Sequence, residues 1–374
     1  MTSKHQHQEQ GQGKNKAVTL IICVCGLYGT FLTWSILQER INTKPYGDDN
    51  NEYFKAPIII NLIQALFASI IGFIYNYVTI TSTTKFKSSP KGEGLQDSNN
   101  NNNNPFSIFI TNGKQNYNVL KFMILISITS SIASPIGYKS LKHLDYLAYL
   151  LAKSCKLIPV MIVHFIFYQT KFPNYKYLVA GLVTLGVILF TMAHATTKTK
   201  INDGNTLLGL TYLIGSMILD GLTNSTQDQL FKLPLENKLT SGKLMSLLNL
   251  FIFIWTSLYT VIFHKVEIDY TINFINNYPE LLIDIMGFAI CGAIGQVFIF
   301  IILEKFDSII LITATVTRKM LSMILSVILF GHHLSWEQWV GVGLVFGGIG
   351  LEAFIKFKQQ QQQQSQKNLK SKVA

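Results

Sequence analysis

Apolar residues in this chain come in long, nearly unbroken stretches, not in the narrow stripe of a soluble helix or the alternation of a half-buried strand. A hydrocarbon core about 30 Å thick is crossed by roughly 20 helical residues. Ten stretches reach that length, near Ala17–Gln38, Pro57–Ile80, Val119–Tyr138, Leu144–Tyr168, Tyr175–Ala195, Thr206–Gln227, Lys243–His264, Leu281–Glu304, Ser308–Phe330 and Ser335–Ile355. The third and sixth are the weakest, being rich in Ser, Thr and Gly. The pattern predicts an all-α polytopic membrane protein with ten transmembrane helices. Residues 17–355 form its one membrane domain, between a polar tail (1–16) and a second tail (356–374). The loop 84–118, with its Asn99–Asn104 run, and the Gln359–Gln364 tract are expected to be disordered, solvated spacers.

Composition agrees with this pattern and narrows the function. Of 374 residues, 49% are hydrophobic and only 14% charged, against roughly 25% charged in an ordinary globular domain. That excludes a soluble multidomain enzyme and a long disordered protein. The four cysteines (Cys23, Cys25, Cys155, Cys291) fall in apolar runs and form no disulfide or zinc framework. The polar start and the length of the first apolar run argue against a cleaved signal peptide.

The net charge of +11 would suggest nucleic acid if the basic residues formed one patch. They are divided among loops instead. With both termini on one side, as an even number of spans requires, 19 Lys and Arg lie on that side and 8 on the other. The positive-inside rule then places both termini in the cytosol and leaves no role for nucleic acid. Four of the 31 basic residues remain inside spans: Lys153, Lys156, Arg318 and Lys319.

Those four coincide with an internal repeat. Lys156 aligns with Lys319 at an offset of 163; Gly181-Leu182-Val183 aligns with Gly343-Leu344-Val345, and Gly186 with Gly348, at 162. Five spans separate the copies, so the second is inverted relative to the first. An inverted repeat is typical of carriers that alternate access about a midplane site. A basic side chain at a span centre costs roughly 2.5–3.5 kcal/mol, so four together cost on the order of 10–14 kcal/mol. Asp145, Asp220, Glu39 and Glu304 lie nearer span ends, and one or two of them are available as partners. Cations kept at such a cost line a wet cavity and await an anion. Lys as a point charge and Arg as a two-oxygen fork suit phosphate or pyrophosphate.

Other features weigh less. The glycines Gly341, Gly343, Gly347, Gly348 and Gly350 lie within one apolar span with no preceding strand, so they read as a helix-packing face, not a dinucleotide fingerprint. Asn224-Ser225-Thr226 has the form of a glycosylation sequon on the wrong side of the membrane. Asp220, Asn224, Gln227 and Asp228 are candidates either for the cavity wall or for helix packing. Gln38 and Glu39 are candidates for a gate or for the interfacial end of the first span. His332-His333 reads as a turn. No metalloprotease, Ser–His or paired-Asp constellation appears, so a carrier is favoured over a membrane enzyme, and no cofactor or metal is expected.

Four segments carry a family resemblance. Leu151-Ala152-Lys153-Ser154-Cys155-Lys156-Leu157-Ile158-Pro159-Val160 resembles the fourth-helix signature of the nucleotide-sugar transporter family. Thr313-Ala314-Thr315-Val316-Thr317-Arg318-Lys319, with Phe330-Gly331 and Gln338-Trp339-Val340-Gly341, resembles its ninth- and tenth-helix signature. Ile36-Leu37-Gln38-Glu39-Arg40, and Asp220-Gly221-Leu222-Thr223-Asn224 with Gln227-Asp228, narrow the likeness to a fungal branch. Leu157 departs from the pattern, which has proline there.

The resemblance implies the drug/metabolite transporter fold and an antiporter of the endoplasmic reticulum or Golgi membrane. The expected substrate is a nucleotide sugar, UDP-galactose first, exchanged for nucleoside monophosphate in support of lumenal glycosylation and protein folding. ATP/ADP exchange is the alternative. By matching positions, Lys153, Lys156, Arg318 and Lys319 would hold the phosphates, with Gln38, Glu39, Asp220, Asn224, Gln227 and Thr317 as further cavity candidates. The terminal Lys370-Ser371-Lys372-Val373-Ala374 has the form of a dilysine retrieval signal, which implies a coat-protein partner on a cytosolic tail.

Overall fold

A computed structural model of the chain describes residues 2–47, 52–87, 105–111, 114–115, 117–155, 157–169, 172–198, 206–233, 240–306, 308–332 and 334–373. Nearly all of it is helical: α1 (Thr2–Thr43), α2 (Pro57–Lys87), α3 (Tyr117–Ser140), α4 (Tyr146–Ser154), α5 (Leu157–Tyr168), α6 (Asn174–Lys198), α7 (Thr206–Lys232), α8 (Ser241–Phe263), α9 (Lys265–Asn277), α10 (Glu280–Lys305), α11 (Ser308–Phe330) and α12 (Trp336–Val373). Among the described residues, nine of these helices are long and apolar enough to cross a membrane.

The expected fourth span, Leu144–Tyr168, is not one continuous helix. It is built from α4 and α5, which meet at Cys155. The cause is Pro159. A helical Pro has no N–H to give to the carbonyl four residues back and crowds it. Here that carbonyl belongs to Cys155, which accepts from Ile158 N at 3.3 Å instead. Cys155 N in turn donates to Ala152 O at 2.9 Å, closing α4 with a tight turn. Pro135 lies within α3 and leaves that helix in one piece.

Two polar segments expected to be loose hold structure, and the polar tail is helical as well. A 3-10 turn (Pro105–Phe109) and a two-residue hairpin, β1 (Ile110–Thr111) with β2 (Lys114–Gln115), occupy part of the 84–118 loop. The Phe109 ring packs edge-on to Phe251 of α8 at 6.3 Å, and apolar burial of that kind orders the segment. The Asn99–Asn104 run lies outside the described residues. The Gln359–Gln364 tract is helical, because α12 runs on through it to Val373; glutamine is a good helix former. α1 likewise begins at Thr2, inside the polar tail. The short α9 was not anticipated, being too brief and too polar to register as a span. It buries Phe274 among Tyr46 and Phe54, with ring centroids 5.9 and 5.5 Å away.

The repeat is visible in how the helices pair. Matched across the repeat, α1 corresponds to α7, α2 to α8, α3 to α10, α4 and α5 to α11, and α6 to α12. The most extensive pairings are α3 with α7, α6 with α12, α2 with α8, and α1 with α10. Exchanging every helix for its repeat partner turns the α3–α7 pair into α10–α1 and returns α2–α8 and α6–α12 to themselves.

The α6–α12 seam shows the same relation residue by residue. A Cβ on Gly186 would meet Leu344, Val345 and the carbonyl of Gly341; a Cβ on Gly348 would meet Leu182, Val183 and the carbonyl of Val179. Each contact is the other shifted by the 162-residue offset. Gly186 and Gly341 bring the two backbones closest, since a Cβ on either would lie 2.6–2.7 Å from the other's carbonyl oxygen. Gly343, Gly347 and Gly350 face open space. Only part of the expected glycine face therefore packs.

Candidate functional site

Six helices converge on one polar cavity of about 310 Å³, within the roughly 300–1,000 Å³ of small-molecule sites. α1 supplies Trp34, Ser35 and Gln38; α2 Gln64; α3 Ser134 and Tyr138; and α4 Tyr149, Leu150, Lys153 and Ser154. α7 supplies Asp220, and α11 supplies Arg318, Lys319 and Ser322. The basic residues that hydropathy singled out in two distant spans thus meet at one place. Lys156 lies outside the described residues.

Lys153 stands in the last turn of α4, one turn beyond Tyr149, whose ring centroid lies 5.9 Å from the ammonium. Its Nζ donates to Asp220 Oδ2 at 2.5 Å and to Ser216 Oγ at 2.6 Å, both on α7. Ser216 Oγ donates its own hydrogen bond to the Ala133 carbonyl at 2.7 Å, which leaves its lone pairs facing Lys153. Gly137 makes the room: a Cβ there would sit 2.9 Å from Ser216 Oγ and 3.4 Å from Lys153 Nζ.

The α11 cations are held differently. The Arg318 guanidinium lies over the Phe31 ring of α1, 4.4 Å from its centroid, and its buried Nε has no hydrogen-bond partner. Among the described residues no carboxylate pairs with Arg318. Thr317 turns from the cavity lining, shares a hydrogen bond with Tyr28 of α1 and donates to the Thr313 carbonyl at 2.8 Å. Three described cations and one carboxylate leave the cavity wall with an excess of positive charge.

At one end of the cavity α1 is tied to its neighbours. Gln38 Oε1 accepts from Tyr146 OH at 3.2 Å, and Gln38 Nε2 donates to Tyr138 OH at 3.4 Å. Tyr146 OH also reaches the Ser35 carbonyl at 3.1 Å. Glu39, 1% exposed, pairs with His332 Nε2 at 2.8 Å, so α1 is fastened to the turn between α11 and α12. Next along the chain, Arg40 bridges Glu280 (3.1 Å) and Asp284 (2.8 Å) of α10. Tyr46 OH donates to Asp284 at 2.9 Å. Burial, with Asp284 alongside, holds the Tyr46 hydroxyl in its neutral form well above the ordinary phenol range.

The sequence candidates therefore separate. Lys153, Asp220, Arg318, Lys319 and Gln38 line the cavity. Glu39 is a buried tie next to it, and Thr317 faces α1. Asn224 folds its amide back to the Asp220 carbonyl at 2.6 Å, and Gln227 is half-buried; both lie outside the lining. His332 is a partner of Glu39 and not a solvated turn residue; His333 lies outside the described residues. Trp34, Gln64, Tyr138 and Tyr149 escaped sequence reading. Gln64 alone carried a signal, as one of three amides (with Asn61 and Asn76) in an apolar span; the aromatics looked like any packing residue.

Known proteins resemble this chain over nearly its whole length. The model of the UAA transporter family matches residues 19–356. A Candida albicans protein named UDP-galactose transporter homolog 1 is 89% identical over 95% of this chain and 94% of its own. Proteins of the same name from Debaryomyces hansenii and Saccharomyces cerevisiae are 57% and 38% identical, over 94% and 91% of this chain and 97% and 96% of theirs. Match length and identity together leave no other assignment: the chain belongs to the UAA transporter family and is a membrane transporter, not an enzyme.

Proposed function

We propose that this protein is an antiporter that carries UDP-galactose from the cytosol into the lumen of the endoplasmic reticulum or Golgi and returns UMP, supporting lumenal glycosylation and protein folding. The observation that carries this reading is the convergence of Lys153, Arg318 and Lys319 on one cavity with the rings of Trp34 and Tyr149 and the amides Gln38 and Gln64. The cations fit a pyrophosphate, with Arg318 able to grip two oxygens. Aromatic faces and amides suit a base and a sugar. Lys156, the repeat partner of Lys319, is assigned to the phosphates with them. The relatives' shared name agrees with the substrate.

The excess positive charge also accounts for exchange. A ligand with two or more negative charges offsets it, whereas turning the empty cavity through the membrane leaves the charge unmatched in a medium of low dielectric. The Gln38–Tyr138–Tyr146 and Glu39–His332 contacts are the ties that part when their end of the cavity opens. The positive-inside asymmetry puts both termini in the cytosol, where coat proteins would read Lys370 and Lys372. Replacing both by Ser should release the protein from the endoplasmic reticulum, and unchanged microscopy would remove that part of the reading.

The test is exchange in proteoliposomes holding the purified protein, with UDP-galactose, UDP-glucose, UMP, ATP and ADP offered in turn and Lys156→Ala and Lys319→Ala as blanks. Selective UDP-galactose/UMP exchange is expected, with little uptake into empty vesicles. Selective ATP/ADP exchange would replace the substrate and keep the cation site; exchange unaffected by either Lys variant would overturn the site itself.

A further inference from the structure

A second cavity, of about 420 Å³, opens on the outer face of the helix bundle between α2, α3 and α8. Its long wall is one stripe of α3: Ile128, Ser131, Ile132, Pro135, Ile136 and Lys139. Their spacing of three and four residues puts all six on one helix face. From Ile128 to Lys139 the helix rises about 16 Å at 1.5 Å per residue. Half of a hydrocarbon core about 30 Å thick is about 15 Å. The groove thus runs the depth of one leaflet, with Lys139 at the headgroup level, where α3 ends at Ser140.

The facing wall belongs to α8. Trp255 and Tyr259 stand one turn apart and are 37% and 48% exposed, the residue types of a membrane–water boundary. Between them Thr256, only 3% exposed, lines the same groove with its Oγ1 lacking any hydrogen-bond partner. The groove is therefore apolar along its length, has the unpartnered Thr256 hydroxyl buried in its wall and ends on an exposed cation.

The symmetry mate of the α3–α8 pair is α10–α2, and α10 packs along α2 more extensively than α3 packs along α8.

We propose that this groove is a binding site for an anionic glycerophospholipid of the surrounding bilayer. One acyl chain lies along the isoleucine stripe, between it and the rings of Trp255 and Tyr259, and the headgroup rests on Lys139. A sterol would fill the apolar stripe but has no anion for Lys139, so the cation selects the phospholipid. The site is separate from the central cavity and stands whatever the transported substrate is.

Trp255 reports on it directly. The purified full-length protein is placed in nanodiscs containing phosphatidylglycerol or phosphatidylcholine with brominated acyl chains. Quenching of Trp255 is read as the difference between the native protein and Trp255→Phe. Attraction of about 1 kcal/mol per Lys near an anionic headgroup corresponds to about a fivefold preference. Brominated phosphatidylglycerol should therefore reach half-quenching at about one-fifth the mole fraction of phosphatidylcholine. Lys139→Gln should bring that ratio to about one, and Lys139→Glu should carry it past one in the other direction. Equal quenching by the two lipids in the native protein would overturn the proposal, as would a preference that survives both variants. Displacement of the brominated lipid by sterol equally in native protein and Lys139→Gln would make the groove a sterol site instead.

Discussion

On the α4 side of the central cavity, Lys153 is held by Asp220 and Ser216 at 2.5 and 2.6 Å. On the α11 side, Arg318 lies against Phe31 with Nε unpartnered. These two sides are related by the internal repeat, which the α6–α12 seam obeys contact for contact. The backbone scaffold has kept its symmetry, and the charges have not. An inverted repeat needs like packing in both halves so that each can take the other's arrangement in turn. A bound ligand has no such symmetry, and a nucleotide sugar has a nucleoside end and a sugar end on either side of its diphosphate. One side with a neutralised cation and one with an unneutralised cation give that ligand a direction.

The most damaging way to test this asymmetry is to remove the unneutralised charge. Arg318→Ala should lower exchange by about 10- to 100-fold, the worth of charge-assisted hydrogen bonds of about 1.5–3 kcal/mol, with the melting temperature in detergent little changed. Arg318→Lys should fall between, because it keeps the charge and loses the fork. If Arg318→Ala exchanges normally, the α11 side is structural and the comparison fails.

Removing the neutralising group should act in the opposite direction. Asp220→Asn leaves Lys153 its hydrogen bonds to the side-chain amide and Ser216 but frees its charge for the ligand. An ion pair with some solvent access is worth about 0.2–1 kcal/mol, so the half-saturating ligand concentration should fall by up to about fivefold. Uptake into empty vesicles should fall as well, since the empty cavity then carries more unmatched charge. A half-saturating concentration that rises would show that Asp220 touches the substrate itself, and the two sides would have to be assigned anew.

Much of this was legible in the sequence, for identifiable reasons. Length sets a membrane span, so nine spans were readable from hydropathy alone, and a cation inside a span is costly enough to stand out. The break at Cys155 was harder: Pro159 was visible, but a proline in a span permits a bend, a break or, as Pro135 in α3 shows, an unbroken helix. α9 was hidden because a surface helix of 13 residues is shorter than any membrane crossing. At the site, charge could be read and partnership could not. Lys153 and Lys319 look alike in sequence, and only the approach of α7 distinguishes the cation that Asp220 holds. Trp34 and Tyr149 are the same residue types that fill the core, and only the converging helices show that they line a cavity.

The smallest effects probe the symmetric part. A glycine in a helix interior costs roughly 0.5–1 kcal/mol relative to alanine, so alanine at an open position should stabilise. Gly343 faces open space, and Gly343→Ala should raise the melting temperature slightly. At Gly348 the added Cβ would meet Val183 Cγ2 at 2.9 Å and a backbone oxygen only at 3.7 Å. A side-chain methyl can shift, so the two effects should nearly cancel. At Gly186 the nearest atom is the backbone oxygen of Gly341, at 2.6 Å, and neither helix can yield without moving along its length. Overpacking of that kind costs about 1–3 kcal/mol, so Gly186→Ala should melt lowest of the three. The order Gly343→Ala above Gly348→Ala above Gly186→Ala, measured on purified protein in one detergent, would show how far the seam's symmetry extends. It is symmetric in which residues meet, and tighter at Gly186 than at its mate. Equal melting of the Gly186 and Gly348 variants would mean that the two helices relax freely, and the close backbone approach would then contribute nothing to holding the halves together.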